Sequence, residues 1–151
     1  MGYCVTIDIQ NLIIPKENIQ NCLNAINNLY KPEMIKLFAW GGSPKEKCYS
    51  FTYNPENGKW DDIKEAFDSW RYETEFDENE NLVIIMFEGE KWGDDEVLYN
   101  TIAPFVQNGA IITIYGEDHE QWSYQFENQE IYHCSHKIVL EKKRKLPKFE
   151  T

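Results

Sequence analysis

Apolar residues in this chain recur at every second position, then at every third or fourth, and the two spacings trade places repeatedly. Tyr3, Val5, Ile7 and Ile9 alternate with Cys4, Thr6 and Asp8, a period of two that predicts a strand with one apolar face. Pro15 stands where a helix begins, and Ile19, Cys22, Leu23, Ile26, Leu29 and Tyr30 follow at helical spacing, which predicts a helix over 16–30 that Pro32 stops. Residues 34–40 and 48–53 read as strands on either side of a turn at 41–44. Turn residues fill 54–58. Trp60, Ile63, Ala66, Phe67 and Trp70 mark a second, short helix. Tyr72, Thr74 and Phe76 restore the period of two over 71–76, and a polar hairpin connection occupies 77–81. The uninterrupted apolar run 82–87 has strand length and is expected at the centre of a sheet. A loop over 89–93 precedes a third helix, which starts at Asp94-Asp95-Glu96 and is kinked or ended by Pro104. Strands at 110–115, 122–126 and 131–140 follow, joined by turns at 116–120 and 128–129.

The resulting order is β-α-β-β-α-β-β-α-β-β-β. It predicts an α+β fold, a mainly antiparallel sheet with about three helices on one side. The first half follows the ferredoxin-like βαββαβ order, and the chain closes in a C-terminal β-meander. The second half either extends the first sheet or forms a small sheet of its own. At 151 residues, 42% hydrophobic and 15% aromatic, the chain has material for one core. The expected organisation is a single domain over 1–141 and a basic, frayed tail over 142–151.

Charge narrows the function classes. The net charge of -11 is concentrated: residues 54–96 carry 15 acids and 4 bases, and residues 97–136 carry 5 acids with no Lys or Arg. The stretch 137–151 reverses sign, with 6 bases and 2 acids. Phosphate contacts need Lys and Arg, so nucleic acid is expected at most as a weak contact of the basic tail. No apolar run approaches the roughly 18–20 residues of a membrane span. No secretory segment opens the sequence, so a cytoplasmic location is expected. The four cysteines (Cys4, Cys22, Cys48, Cys134) form no CxxC pair and read as reduced thiols, mostly buried.

Candidate chemistry is thin. Asp94, Asp95 and Glu96, joined by Glu88, Glu90, Glu117 and Asp118, offer oxygen ligands for a hard divalent ion if the two loops converge, but without EF-hand spacing. His133, Cys134 and His136 are the most metal-like local cluster; on a strand only Cys134 and His136 share a face, fewer than zinc requires. There is no G-x-S-x-G elbow and no phosphate-binding G-x-x-x-x-G-K-[ST] frame. No catalytic residue, metal or cofactor is assigned. Trp122, Tyr124 and Phe126 share a strand face and read as core, as do Trp60, Phe67 and Trp70. Trp40 and Trp92 sit at loop edges, and Trp is favoured as an interface anchor.

One stretch carries a resemblance. Phe87-Glu88-Gly89-Glu90-Lys91-Trp92-Gly93-Asp94-Asp95-Glu96 leads to Ile102-Ala103-Pro104-Phe105-Val106, then to Gly116-Glu117-Asp118 and Trp122-Ser123-Tyr124-Gln125-Phe126. Over about residues 60–127 this resembles a group of small bacterial and phage-borne proteins with an F-x-G-E-K…D-E…I-A-P-[FY]-V…G-E-D-G…W-x-[WY]-x-F pattern. His119 stands where that pattern has Gly. The resemblance implies no activity; it implies that the 87–96 and 116–122 loops belong together at one end of the sheet.

The leading expectation is a non-enzymatic protein-binding module that presents an acidic surface to a basic protein partner. An inhibitor of a nucleic-acid enzyme, of the anti-defence or immunity type, would use carboxylates in place of phosphates. Its expected contact residues are Trp40, Glu88, Glu90, Trp92, Asp94, Asp95, Glu96, Glu117 and Asp118. The alternative is a small-molecule or divalent-metal domain, with or without catalysis, built on the 88–96 and 117–118 carboxylates.

Overall fold

A computed structural model describes residues 2–38 and 47–149. The period-two opening becomes β1 (Tyr3–Gln10), followed by a two-residue β2 (Ile13–Ile14). A 3-10 turn (Lys16–Asn18) leads into α1 (Ile19–Asn28), whose Cys22, Leu23 and Ile26 face the core. Helix α2 (Pro32–Phe38) comes next, then α3 (Ile63–Ser69), β3 (Tyr72–Phe76) and β4 (Leu82–Phe87). The remainder is β5 (Lys91–Trp92), α4 (Asp95–Ile102), a 3-10 turn (Ala103–Phe105), β6 (Ala110–Gly116), β7 (Gln121–Glu127) and β8 (Glu130–Ser135).

The fold is α+β, as expected, and every strand pairing among the described residues is antiparallel. Five strands pair in the order β5-β1-β6-β7-β8, and three more in the order β2-β4-β3. The C-terminal meander is present as β6-β7-β8, and its second connection is a tight turn with positive φ at Asn128 and Gln129. The apolar run of β4 lies between β2 and β3, at the centre of the smaller sheet. Buried residues of α1, α3, α4 and both sheets form one hydrophobic cluster. Asp62 caps α3, its carboxylate accepting the Lys64 N–H at 2.9 Å.

Two expected strands are corrected. Residues 32–38 form a helix: Pro32 takes the first helical position, where its missing N–H is harmless, and Lys31 O accepts N–H groups from Met34 and Ile35. A short apolar run fits strand and helix equally well, and here the start signal decides. The rest of that expected strand, with the 41–44 turn and Trp40, lies outside the described residues. Within 48–53 no strand forms; Tyr49–Thr52 is a turn, with Thr52 N–H on Tyr49 O and Phe51 at φ 63°. Tyr49 is buried there, its hydroxyl donating to Leu29 O at 2.7 Å and its ring 5.1 Å from Trp70. The ferredoxin-like order required both strands, so the described first half does not follow it. The last strand is also shorter than expected: β8 ends at Ser135, and residues 136–149 are exposed and without helix or strand.

Candidate partner-binding groove

Strand β1 brings the two acidic loops together. Tyr3 stands opposite Trp92 on one side, and Val5 opposite Gly116 on the other. The Val5 N–H donates to Glu90 O at 2.9 Å, and the Glu117 N–H to Cys4 O at 3.0 Å. The loops over 87–96 and 116–122 therefore meet at one end of β1. A Cβ at Gly116 would overlap the Tyr3 phenol, so glycine lets the ring cross that position.

The three consecutive carboxylates at the start of α4 part ways. Asp94 accepts the Ser50 N–H at 2.7 Å. Asp95 is 0% exposed and lies inside the protein. Arg71 reaches both its oxygens, at 3.2 and 3.0 Å, while Tyr72 donates at 2.8 Å and Gly93 N–H at 2.9 Å. Tyr72 gives its one proton to Asp95, so the Tyr99 hydroxyl, 2.6 Å away, donates to Tyr72. Burial pushes the Asp95 carboxyl up, and Arg71 foremost, with Gly93 and Tyr72, opposes that rise. Burial also raises Tyr72 and Tyr99 well above the usual phenol range, which keeps both as donors. Arg71 adopts φ 75°, a costly conformation for a side-chain-bearing residue. It is held there by Asp95, by Lys91 O at 2.6 Å and by the Phe51 and Phe87 rings at 5.2 and 4.9 Å. Asp95 is thus part of the fold and leaves the set of surface candidates.

Glu96, the next residue, is exposed. It accepts the Tyr124 hydroxyl at 2.6 Å, and Tyr124 in turn accepts the Trp122 indole N–H at 3.1 Å. Burial, then Glu96, pushes the Tyr124 hydroxyl up, so it stays a donor. Around this carboxylate lies an aromatic groove of about 490 Å³. Trp92 and Tyr124 stack nearly parallel, at 18°, while Trp92 meets Trp122 at 87° with centroids 5.5 Å apart. Tyr3 stacks on Trp122, and His133 meets Tyr124 edge-on. Glu120 also lines the groove. A neighbouring hollow of about 400 Å³, with Leu29, Met34, Val97 and Ile131 in its wall, shares Glu96, Tyr124 and His133 with it. None of the described residues lining either space is Lys or Arg.

Of the residues nominated from sequence, Trp92 and Glu96 line this groove. Asp118 holds its rim, accepting the Tyr3 hydroxyl. That bond lowers the Asp118 carboxyl and pushes Tyr3 up to about 12. Glu117 accepts the Cys4 N–H at 3.3 Å. Glu90 is exposed, and Glu88 lies in a separate hollow with Glu65, Asp68 and Glu73. Tyr3, Glu120, Trp122, Tyr124 and His133 were not nominated from sequence as site residues. Four of them share one signal, register: β1 carries Tyr3, β7 Trp122 and Tyr124, and β8 His133, at positions that only the pairing brings together, while Glu120 directly precedes β7.

The carboxylates do not gather into a metal site: among the described residues, no group of three or more His, Cys, Asp or Glu side chains has metal-binding geometry. His136 bonds Ser123 at 2.6 Å, and His133 packs against Tyr124. All four cysteines are free thiols; Cys22 alone is buried, and Cys4, Cys48 and Cys134 are half-exposed. Among the described residues, no helix is long and apolar enough to cross a membrane. Scans of protein-family models, of curated proteins and of solved structures find no match to this chain.

Proposed function

We propose that this protein is a non-enzymatic binding module that docks a basic protein partner on its acidic face. The observation that carries the reading is the groove on α4, β5 and β7. There the exposed carboxylates of Glu96 and Glu120 flank Trp92 and Trp122, with no Lys or Arg among the described residues of the lining. Aromatic anchors at the centre with charges around them are the usual anatomy of a protein interface. The net negative charge of residues 54–136 adds long-range attraction, which raises encounter rates with a positive surface. A partner that normally grips phosphates, such as a nucleic-acid enzyme, fits this chemistry, and an inhibitor of the immunity or anti-defence type is the matching role. The proposed setting is the cytoplasm, where free thiols stay reduced.

The test is a titration of the full chain with oligolysine at increasing salt. Exposed charges are screened beyond about 10 Å at 0.1 M salt, so binding is expected to weaken steeply as salt rises. Absence of binding at low salt, or an affinity indifferent to salt, contradicts the proposal.

A further inference from the structure

We infer that the groove walled by Trp92, Trp122 and Tyr124 is a receptor for a single arginine side chain presented by the partner. This rests on the proposed docking of a basic protein and names the group that would anchor it. Three observations support it. Trp92 and Trp122 meet edge to face at 87°, and both indoles line the groove. A guanidinium stacks on indole surface at a groove wall and is attracted by its electron-rich face. Glu96 then provides the counter-charge: its Oε2 is occupied by the Tyr124 hydroxyl, and its Oε1 takes no donor among the described residues. That leaves an acceptor in the aromatic groove for a guanidinium N–H, while Glu120 supplies a second negative charge at the groove wall. The groove volume of about 490 Å³ suits one long side chain. The planar, forked guanidinium uses both the flat walls and the carboxylate, whereas an ammonium uses only charge, so arginine is favoured over lysine.

The decisive experiment varies the ligand and leaves the protein intact. A short glycine-flanked arginine peptide, its citrulline counterpart and its lysine counterpart are titrated into the full chain, with indole fluorescence as the readout. Citrulline keeps the shape and loses the charge. The arginine peptide is expected to perturb the fluorescence and bind about tenfold more tightly than the citrulline peptide, the scale of a desolvated cation–aromatic contact. Its advantage over the lysine peptide is expected to shrink in Glu96→Gln and in Trp122→Phe. Equal binding of arginine and citrulline peptides overturns the inference. If oligolysine still binds in a salt-dependent way, the docking proposal survives that loss. If oligolysine also fails to bind, both fall. A chain lacking residues 137–151 is the last arm. Unchanged arginine affinity supports a partner as the source of the side chain. Markedly tighter binding after truncation would show the protein's own basic stretch competing for the groove, and would overturn the assignment to a partner.

Discussion

Asp95 and Glu96 are neighbours in sequence, carry the same charge and begin the same helix, yet they belong to different regions of the molecule. Asp95 is enclosed by Arg71, Tyr72 and the Gly93 N–H. Glu96 is exposed and shares one hydrogen bond with Tyr124 among aromatic rings. In the first region every acceptor of the charge is matched, and the strained Arg71 backbone is held by what it binds. In the second, carboxylate and indole surface remain open to solvent. A run of acidic residues is therefore no functional unit: one carboxylate organises the fold and its neighbour stays exposed.

Substitutions separate the two regions. The largest effect is expected from Asp95→Ala, which strands the Arg71 guanidinium inside the protein. Loss of one partner of a buried pair costs about 3–5 kcal/mol, read by denaturant unfolding. Tyr72→Phe removes a hydroxyl that donates to Asp95 and accepts from Tyr99, and is expected to cost about 1–3 kcal/mol. Gly116→Ala crosses between the regions, because the new methyl must displace Tyr3 at the groove rim. About 1–3 kcal/mol is expected, together with altered indole fluorescence. Glu96→Gln is expected to change stability by about 1 kcal/mol or less, since its charge is exposed. A destabilisation by Glu96→Gln as large as that of Asp95→Ala would erase the contrast.

The smallest effects concern pH at the rim. Asp118 is lowered by the Tyr3 hydroxyl, so its contribution is present above the ordinary carboxylate range of about 4 and is lost as pH falls through the lower folded value. Tyr3 is raised to about 12, so its contribution is present below its ordinary value of about 10 and is lost as pH rises through that folded value. Tyr3→Phe is expected to flatten the profile of melting temperature against pH at both ends, and Asp118→Asn at both ends as well, because each removes the same bond. Asp77, lowered by N–H groups of the Asn81 turn, shapes only the acid end.

Local signals carried much of the fold into view. The period of two over 3–9, the turn residues at 77–81 and the acidic start of α4 each reappear where periodicity places them. The strands expected at 34–40 and 48–53 failed for different reasons. The first was a short apolar run governed by a proline start signal, and in the second the alternating aromatics served a turn that buries Tyr49. The site was legible only in part. Trp92 and Glu96 stood out by position, but nothing local to Asp95 reveals that an arginine 24 residues earlier will enclose it. The aromatic groove was hidden for the same reason: Trp92 on β5 and Trp122 on β7 meet although β1 and β6 lie between their strands, and Trp122 reads as core until the sheet order is known.

The central claim is that the exposed carboxylates of the groove select a cationic partner while the buried one only holds the fold. The direct measurement is the affinity of oligoarginine for the unmodified protein and for the double variant Glu96→Gln, Glu120→Gln at low salt, with melting temperatures recorded alongside. Affinity is expected to fall about tenfold or more, roughly 1.4 kcal/mol, with a nearly unchanged melting temperature. Equal affinity of the two proteins, with both folded, would contradict it.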